Sequence, residues 1–469
     1  MERGRALGLL CLAQFMVILD TTIVNVALPA IQDELRFASQ DGLQYVISLY
    51  ALVFGGTLIL AGRAADLFGR RLLFTAGLAV FAAASLACGL ASRPAVLLTA
   101  RAFQGLAGAM VSAAALALIT TLFTEPPARD RALGAWGATG GAAGACGLIL
   151  GGGPTDTLGW PWVFFINVPI GLIAPVFALR LLPSGRPTRR PAGHGRGLDL
   201  PGAVLLTTGL GLLLYGLTRG EQDGYAAPGV AALLAGAAAL LAGFAVTERR
   251  VRRPLVRFAI FRTPGVPGAL AAAMALNAVV ASNLFFTTLY VQDVLGFSPL
   301  ETGAAFLPNS VLVIAGSTLG SRLAGSTGAG TVLACGLAVL TAGCLLLSGI
   351  SADGDYAADV LPGFALTGLG LGLAFVAVTI AATHGIDHQD QGLASGLVNT
   401  AQQVGFAIGI ATVAAVAAAR ARSAGGDAAE RAVSGYSTGY LIDAALAAAA
   451  VIVALVLVRR PTARPAGRV

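Results

Sequence analysis

What most constrains this chain is a run of apolar segments, each about twenty residues long, recurring from one end to the other. A helix rises about 1.5 Å per residue, so about 20 such residues cross the hydrocarbon of a bilayer. There an unpaired backbone N–H or C=O has no water to bind, which leaves the helix as the natural spanning form. Fourteen segments are expected between polar or Gly/Pro-rich breaks. The first is Leu7–Leu28, the fifth Leu133–Gly153, the short seventh and eighth Leu200–Leu217 and Pro228–Val246, and the last Tyr440–Val458. With 56% hydrophobic and 11% charged residues, the chain has too few charges to coat a soluble globule of 469 residues. The fold class is therefore an all-α membrane protein with many spans.

Charge placement orients the segments. All 30 basic residues are arginine, and they fall mostly in loops, so the net charge of +7 is topogenic and not a nucleic-acid footprint. Arg36, Arg93, Arg219, Arg420, Arg422 and Arg431 lie on one side, Arg101 lies inside a span, and the remainder crowd the opposite side. This asymmetry places both termini in the cytoplasm, in a multi-pass protein of the inner (cytoplasmic) membrane. Arg3 and Arg5 precede a first span read as an uncleaved helix. The polar stretch 183–197 and the basic stretch 248–262 bracket the seventh and eighth segments. The expected organisation is a six-helix bundle over 1–182, linkers with two inserted helices over 183–262, and a second six-helix bundle over 263–469.

Asp20 interrupts the first segment together with Thr21, Thr22 and Asn25. An ionised side chain at bilayer depth costs ~2.5–3.5 kcal/mol on insertion scales, so such residues face a bundle interior, a partner or water and mark functional positions. The plain alternative is that Asp20 sits by an interface or cavity and helps to pack the bundle. Arg101, in the fourth segment with Gln104 one turn on, needs a carboxylate or several carbonyls, and Asp20 is a chemically suited partner. Asp443 falls near the outer end of the last segment, which leaves Asp20 as the deep acid. Gln14, Asn277, Asn283, Asn309, Gln402 and Gln403 are candidates to line a cavity, with Phe103, Phe285, Phe286 and Tyr290 as candidate walls.

Cys11, Cys88, Cys146, Cys335 and Cys344 lie in apolar segments without C-x-x-C spacing and read as packing residues. His384 and His388, beside Asp387 and Asp390, read as a solvated loop and not a metal site. The spans hold no P-loop and no nucleophile–base pair, which argues against an enzyme and against an ATP-driven pump.

Several stretches carry a resemblance. Gly62-Arg63-Ala64-Ala65-Asp66-Leu67-Phe68-Gly69-Arg70-Arg71 resembles the motif A loop of the major facilitator superfamily, G-x-x-x-D-x-x-G-R-R/K. Its two glycines allow a tight turn, Asp66 can meet a cation or a helix N-terminus, and Arg70 and Arg71 hold the cytoplasmic side. As a positive-inside loop it also has an ordinary reading. Arg101-Ala102-Phe103-Gln104-Gly105-Leu106-Ala107-Gly108 resembles the family's R-x-x-Q-G-x-x-G motif B, and the resemblance implies a part for the arginine in proton coupling. The glycine-rich fifth segment lets another helix approach closely. Within it Gly147, Gly151 and Gly152 align with the exporter-associated G-P-x-x-G-G, with Leu148 where the proline is expected. Leu19 to Pro29, Trp160 to Gly171, Gln292 to Pro299 and Gly392 to Thr400 narrow the resemblance to drug:proton antiporters with fourteen spans. Pro161 replaces the arginine common between the two tryptophans. A second motif A survives as Gly320-Ser321-Arg322-Leu323-Ala324 without its acid, implying a weaker second latch.

The resemblance implies a major facilitator fold and a proton-coupled exporter of amphipathic small molecules by alternating access. It would need no cofactor beyond the proton as coupling ion and no metal, and would work as a monomer in the lipid bilayer. Asp20, Arg101, Asn25 and Gln104 would serve proton and substrate, while Gly62, Asp66, Gly69, Arg70 and Arg71 would form the cytoplasmic gate. A dedicated exporter of an endogenous metabolite and a passive facilitator are the alternatives.

Overall fold

The computed structural model describes residues 2–35, 40–183, 200–251, 254, 256, 258–386 and 391–458. The helices in chain order are α1 (Glu2–Leu35), α2 (Gln40–Phe68), α3 (Arg70–Gly89), α4 (Pro94–Leu122), α5 (Pro126–Leu158), α6 (Trp162–Phe165), α7 (Asn167–Leu181), α8 (Leu200–Asp223) and α9 (Pro228–Arg250). They continue with α10 (Val266–Leu289), α11 (Pro299–Ala305), α12 (Leu307–Thr327), α13 (Ala329–Leu347), α14 (Leu361–Thr383), α15 (Gln391–Ser423) and α16 (Ala428–Leu457).

Local chemistry sets many of the ends. Proline occupies the first turn of α4, α5, α9, α10, α12 and α14, where its missing N–H has no partner to lose. Asp427 opens α16 with a capping box: its carboxylate accepts from Glu430 N at 2.8 Å, and Asp427 N donates to Glu430 Oε2 at 3.0 Å. This cap starts the last helix at Ala428, well before the expected Tyr440, and so sets Asp443 midway along α16 and not near its outer end. The tenth expected segment is divided at Phe306 into α11 and α12, next to Pro308, which has no N–H to carry the helical hydrogen-bond ladder across the junction.

Among the described residues twelve helical stretches are long and apolar enough to cross a bilayer. Two expected spans fall outside those twelve. The fifth is α5, a continuous helix of 33 residues, and the seventh is the shorter apolar stretch Pro201–Leu217 within α8.

The helices pack as two sets with matching neighbours. In the first, α1 meets α4, α5 and α7, while α4 meets α2 and α3, and α3 meets α7. In the second, α10 meets α14, α15 and α16, while α14 meets α12 and α13, and α13 meets α16. Internal repeats of this kind are a recurring plan of secondary transporters. The equivalent helices α4 and α14 are the most enclosed, with 78% and 72% of their apolar windows buried. The sets touch along two seams, α2 against α15 and α5 against α12. Helices α8 and α9 pair with each other, and α8 leans on α2 and α15, with Tyr45 and Tyr215 hydroxyls 3.0 Å apart. Helix α9 is peripheral, with 17% of its window buried.

Candidate functional site

The ion pair is built by close helix approach. A Cβ on Gly105 would lie 2.5 Å from Tyr50 O, so glycine brings α4 against α2 one turn below Arg101. Arg101, fully buried, donates from Nη1 to Asp20 Oδ2 at 2.5 Å, and from Nε to the carbonyl of Val46 at 2.8 Å. Its guanidinium stands 4.4 Å from the Tyr50 ring centroid, a cation–π contact. Asp20, equally buried, accepts at Oδ1 from Gln104 Nε2 at 3.1 Å and from Asn167 Nδ2 at 2.8 Å. Gln104 is shared: its Oε1 accepts from Arg101 Nη1 at 2.9 Å, and its Nε2 also donates to Ser85 Oγ at 2.7 Å. Helices α4 and α7 thus converge on the α1 carboxylate, with Ser85 of α3 accepting from Gln104 behind them, and every partner of the carboxylate is a donor. That is the set an anion requires, because a buried charge is tolerable when its lone pairs are matched.

The structure brings together Asp20, Arg101 and Gln104 from the expected site and adds Asn167, Ser85 and Tyr50. Asn25 lies on α1, with its side chain outside the described residues. Asn167 belongs to the Trp160–Gly171 stretch, where its signal was a single amide among apolar neighbours; Ser85 and Tyr50 gave no signal that separates them from core residues. Gln14, a cavity candidate, accepts from Ser112 Oγ at 2.9 Å, and Asn277 donates to its own helix at Ala273 O. Phe103 is exposed on the bundle surface and is no cavity wall. A cavity of about 70 Å³ does lie in the second helix set, lined by Asn283, Asn309, Thr367, Phe306 and Phe364.

The second cluster closes one end of the α2–α15 seam. Asp66 Oδ1 accepts from Arg70 Nη2 at 3.0 Å and from Gly392 N at 3.2 Å, and Oδ2 accepts from Leu393 N at 3.1 Å. The carboxylate therefore caps the first turn of α15, where amides are free and the helix dipole is positive. A Cβ on Gly62 would strike Gly392 O, and one on Gly392 would strike Gly62 O, so the two backbones meet glycine to glycine. Gly69 has φ of 106°, which glycine, lacking a Cβ, reaches in this tight turn without a steric penalty. Arg71 turns away from the seam and donates to Leu179 O and Leu182 O at 3.3 and 3.1 Å, capping the end of α7. Arg71→Ala is expected to lower the thermal stability of the purified protein by about 1 kcal/mol while leaving the α2–α15 seam closed. A melting curve tests it, and an unchanged midpoint counts against the cap.

Where the end of α14 meets α5, Arg129 Nη2 and His384 Nδ1 lie 3.4 Å apart beside buried Asp130. Burial and then Arg129 push the His384 imidazole below its usual value, against the opposing pull of Asp130. Asp387, His388, Asp390 and the linker 184–199 lie outside the described residues. The α5 glycines do serve close packing. A Cβ on Gly147 would strike the Thr22 side chain of α1, and one on Gly134 would meet Ser321 of α12 at 2.5 Å. Gly151 and Gly152 lie on α5, and the packing around them is outside the described residues.

Two matched helix sets joined along seams, with a charged cluster sealed inside one set, are the build of a secondary transporter. Residues 10–410 match the Major Facilitator Superfamily. The chain is 40% identical over 415 residues to the puromycin resistance protein of Streptomyces alboniger, covering 87% of this chain and 80% of that one. It is 39% identical to the cephamycin export protein of Amycolatopsis lactamdurans, covering 86% and 82%. The structure of the human organic anion transporter MFSD10 superposes with a TM-score of 0.65 at 16% identity, covering 95% of this chain and 99% of that one, a likeness of fold. The chain belongs to the major facilitator superfamily. It is a multi-pass membrane transporter and not an enzyme, and its relatives are antibiotic exporters and resistance proteins.

Proposed function

We propose that this protein exports amphipathic, antibiotic-like small molecules from the cell in exchange for protons, by alternating access. The observation that carries the reading is the buried Asp20–Arg101 pair held by Gln104 and Asn167. A proton arriving on Asp20 neutralises it and releases Arg101 from its anion; departure of that proton restores the pair. Substrate and proton then compete for two states of one helix set, and entry of the proton drives exit of the substrate. The protein spans the inner membrane fourteen times, counting α5 and the α8–α9 pair, with both termini in the cytoplasm. It works as a monomer, with the proton as its coupling ion and no other cofactor. The Asp66–Gly392 cluster is then the cytoplasmic gate, and it is shut in this conformation.

The test is uptake into proteoliposomes of the purified protein. Puromycin, a cephamycin and a set of cationic, neutral and anionic amphiphiles should accumulate when the lumen is acidic and the outside is not, for at least one compound. Equal downhill flux with and without the gradient would make the protein a passive facilitator. A second reading is favoured by those relatives that are described by a single antibiotic. On that reading one endogenous compound is exported, and the same panel yields a single accumulated substrate.

A further inference from the structure

The first helix set spends its buried carboxylate on an ion pair; the second set also buries one, with no ion-pair partner among the described residues. Asp443, midway along α16, is 0% exposed. Ser282 Oγ of α10 lies 2.5 Å from Asp443 Oδ1, and Oδ2 has no hydrogen-bond partner. Among the described residues no arginine or histidine forms an ion pair with it. The titratable groups facing it are Cys344 of α13 and, from its own helix, Tyr440.

The placement follows the repeat. Helices α1, α3, α4 and α7 correspond by their neighbours to α10, α13, α14 and α16. In the first set the acid is on α1 and its amide partner Asn167 on α7, with Cys88 of α3 beside Gln104. In the second set the acid is on α16 and its hydroxyl partner Ser282 on α10, with Cys344 of α13 alongside. Acid and partner have exchanged helices across the same contact. The cation has no counterpart: Arg101 stands seven residues after Pro94 of α4, and Leu369 stands seven after Pro362 of α14.

The hydrogen count favours the protonated acid. Ser282 Oγ also lies 2.9 Å from Ala278 O, the usual back-bond of a helical serine. A single hydroxyl hydrogen shared between two acceptor oxygens bonds each only weakly, whereas a hydrogen on Asp443 satisfies both contacts fully, the acid donating to Ser282 and Ser282 to the carbonyl. A bare carboxylate sealed here without a cation would cost several kcal/mol, roughly what an unpaired buried charge costs elsewhere. Cys344, beside Asp443, in turn faces Asn283, which lines the cavity of about 70 Å³, room enough for water.

We propose that Asp443 is a second proton-carrying site, so that two protons, one on Asp20 and one on Asp443, are exchanged per transport cycle. The inference rests on the proton-exchange reading above. Proteoliposomes with the membrane potential clamped to zero give the proton count as the slope of the logarithm of substrate accumulation against the pH difference, tenfold per unit for each proton. A slope of two is expected for the wild type and one for Asp443→Asn, a tenfold smaller accumulation per pH unit, with Asp443→Glu keeping two. A slope for Asp443→Asn equal to that of the wild type overturns the inference and leaves proton exchange standing. A wild-type slope of zero overturns proton exchange itself. Should the variants fail to assemble, proton release from purified wild-type protein on substrate binding, read with a pH indicator, gives the same count: two per substrate supports the second site and one overturns it.

Discussion

Asp20→Asn is expected to abolish gradient-driven accumulation while leaving a folded, membrane-inserted protein. At a difference of about two pH units each coupled proton supports an accumulation of about 100-fold; the share of both protons is expected to vanish, because the Asp443 proton can be exchanged only in a cycle that the Asp20–Arg101 pair switches between its two states. The fold survives because Arg101 keeps Val46 O and Gln104 Oε1 as acceptors and the Tyr50 ring as a face, so the guanidinium is not stranded. Asparagine can still accept at its oxygen from Asn167. The mirror substitution behaves differently. Arg101→Ala leaves Asp20 buried with neutral amides alone, and removal of one partner of a buried pair costs about 3–5 kcal/mol. Its expected signature is loss of assembled protein on size-exclusion chromatography, partly restored in the Asp20→Asn, Arg101→Ala double variant, which buries no lone charge. If Asp20→Asn vesicles still concentrate substrate against its gradient, Asp20 is not a coupling residue.

This asymmetry shows what was readable from the sequence. Asp20 and Arg101 stood out because charge is costly in an apolar segment, and cost alone predicts that such residues find each other. Asn167 and Ser85 did not stand out, because an amide or hydroxyl is cheap enough to be tolerated anywhere on a helix that can back-bond it. The position of Asp443 was misread for a third reason. Polar residues from Asp427 to Thr438 look like a loop, yet the Asp427–Glu430 capping box turns them into the opening turns of α16 and carries Asp443 inward. The break at Phe306 lay in plain view as Pro308, but a window of hydropathy averages across it. The matching of the two helix sets was expected from transporters of repeated plan; which helices carry the equivalent acids came from contacts, since Asp20 and Asp443 sit on non-equivalent helices.

The gate lies at the limit of such reading. The loop around Asp66 was recognisable, but its partner Gly392 is 326 residues away, and no local pattern links the two. Gly392→Val is expected to hold the seam open. Its Cβ would strike Gly62 O and come within 2.8 Å of Asp66 Oδ1, and a helix backbone cannot swing aside as a flexible side chain can. Asp66→Asn is the milder perturbation. It forfeits the charge assistance of the bonds from Arg70, Gly392 and Leu393, and one charge-assisted bond is worth ~1.5–3 kcal/mol. Because about 1.4 kcal/mol is a factor of ten, the closed state should lose about 10–100-fold in population relative to the open one. Spin labels at the exposed Phe68 and Leu323, on opposite helix sets, report the separation directly. The distance distribution should shift to longer values partially in Asp66→Asn and completely in Gly392→Val, and substrate accumulation should fall in the same order. A Gly392→Val distribution that coincides with the wild type would mean that the contact between α2 and α15 can be remade without a glycine pair, and the gate would then have to reside at the α5–α12 seam instead.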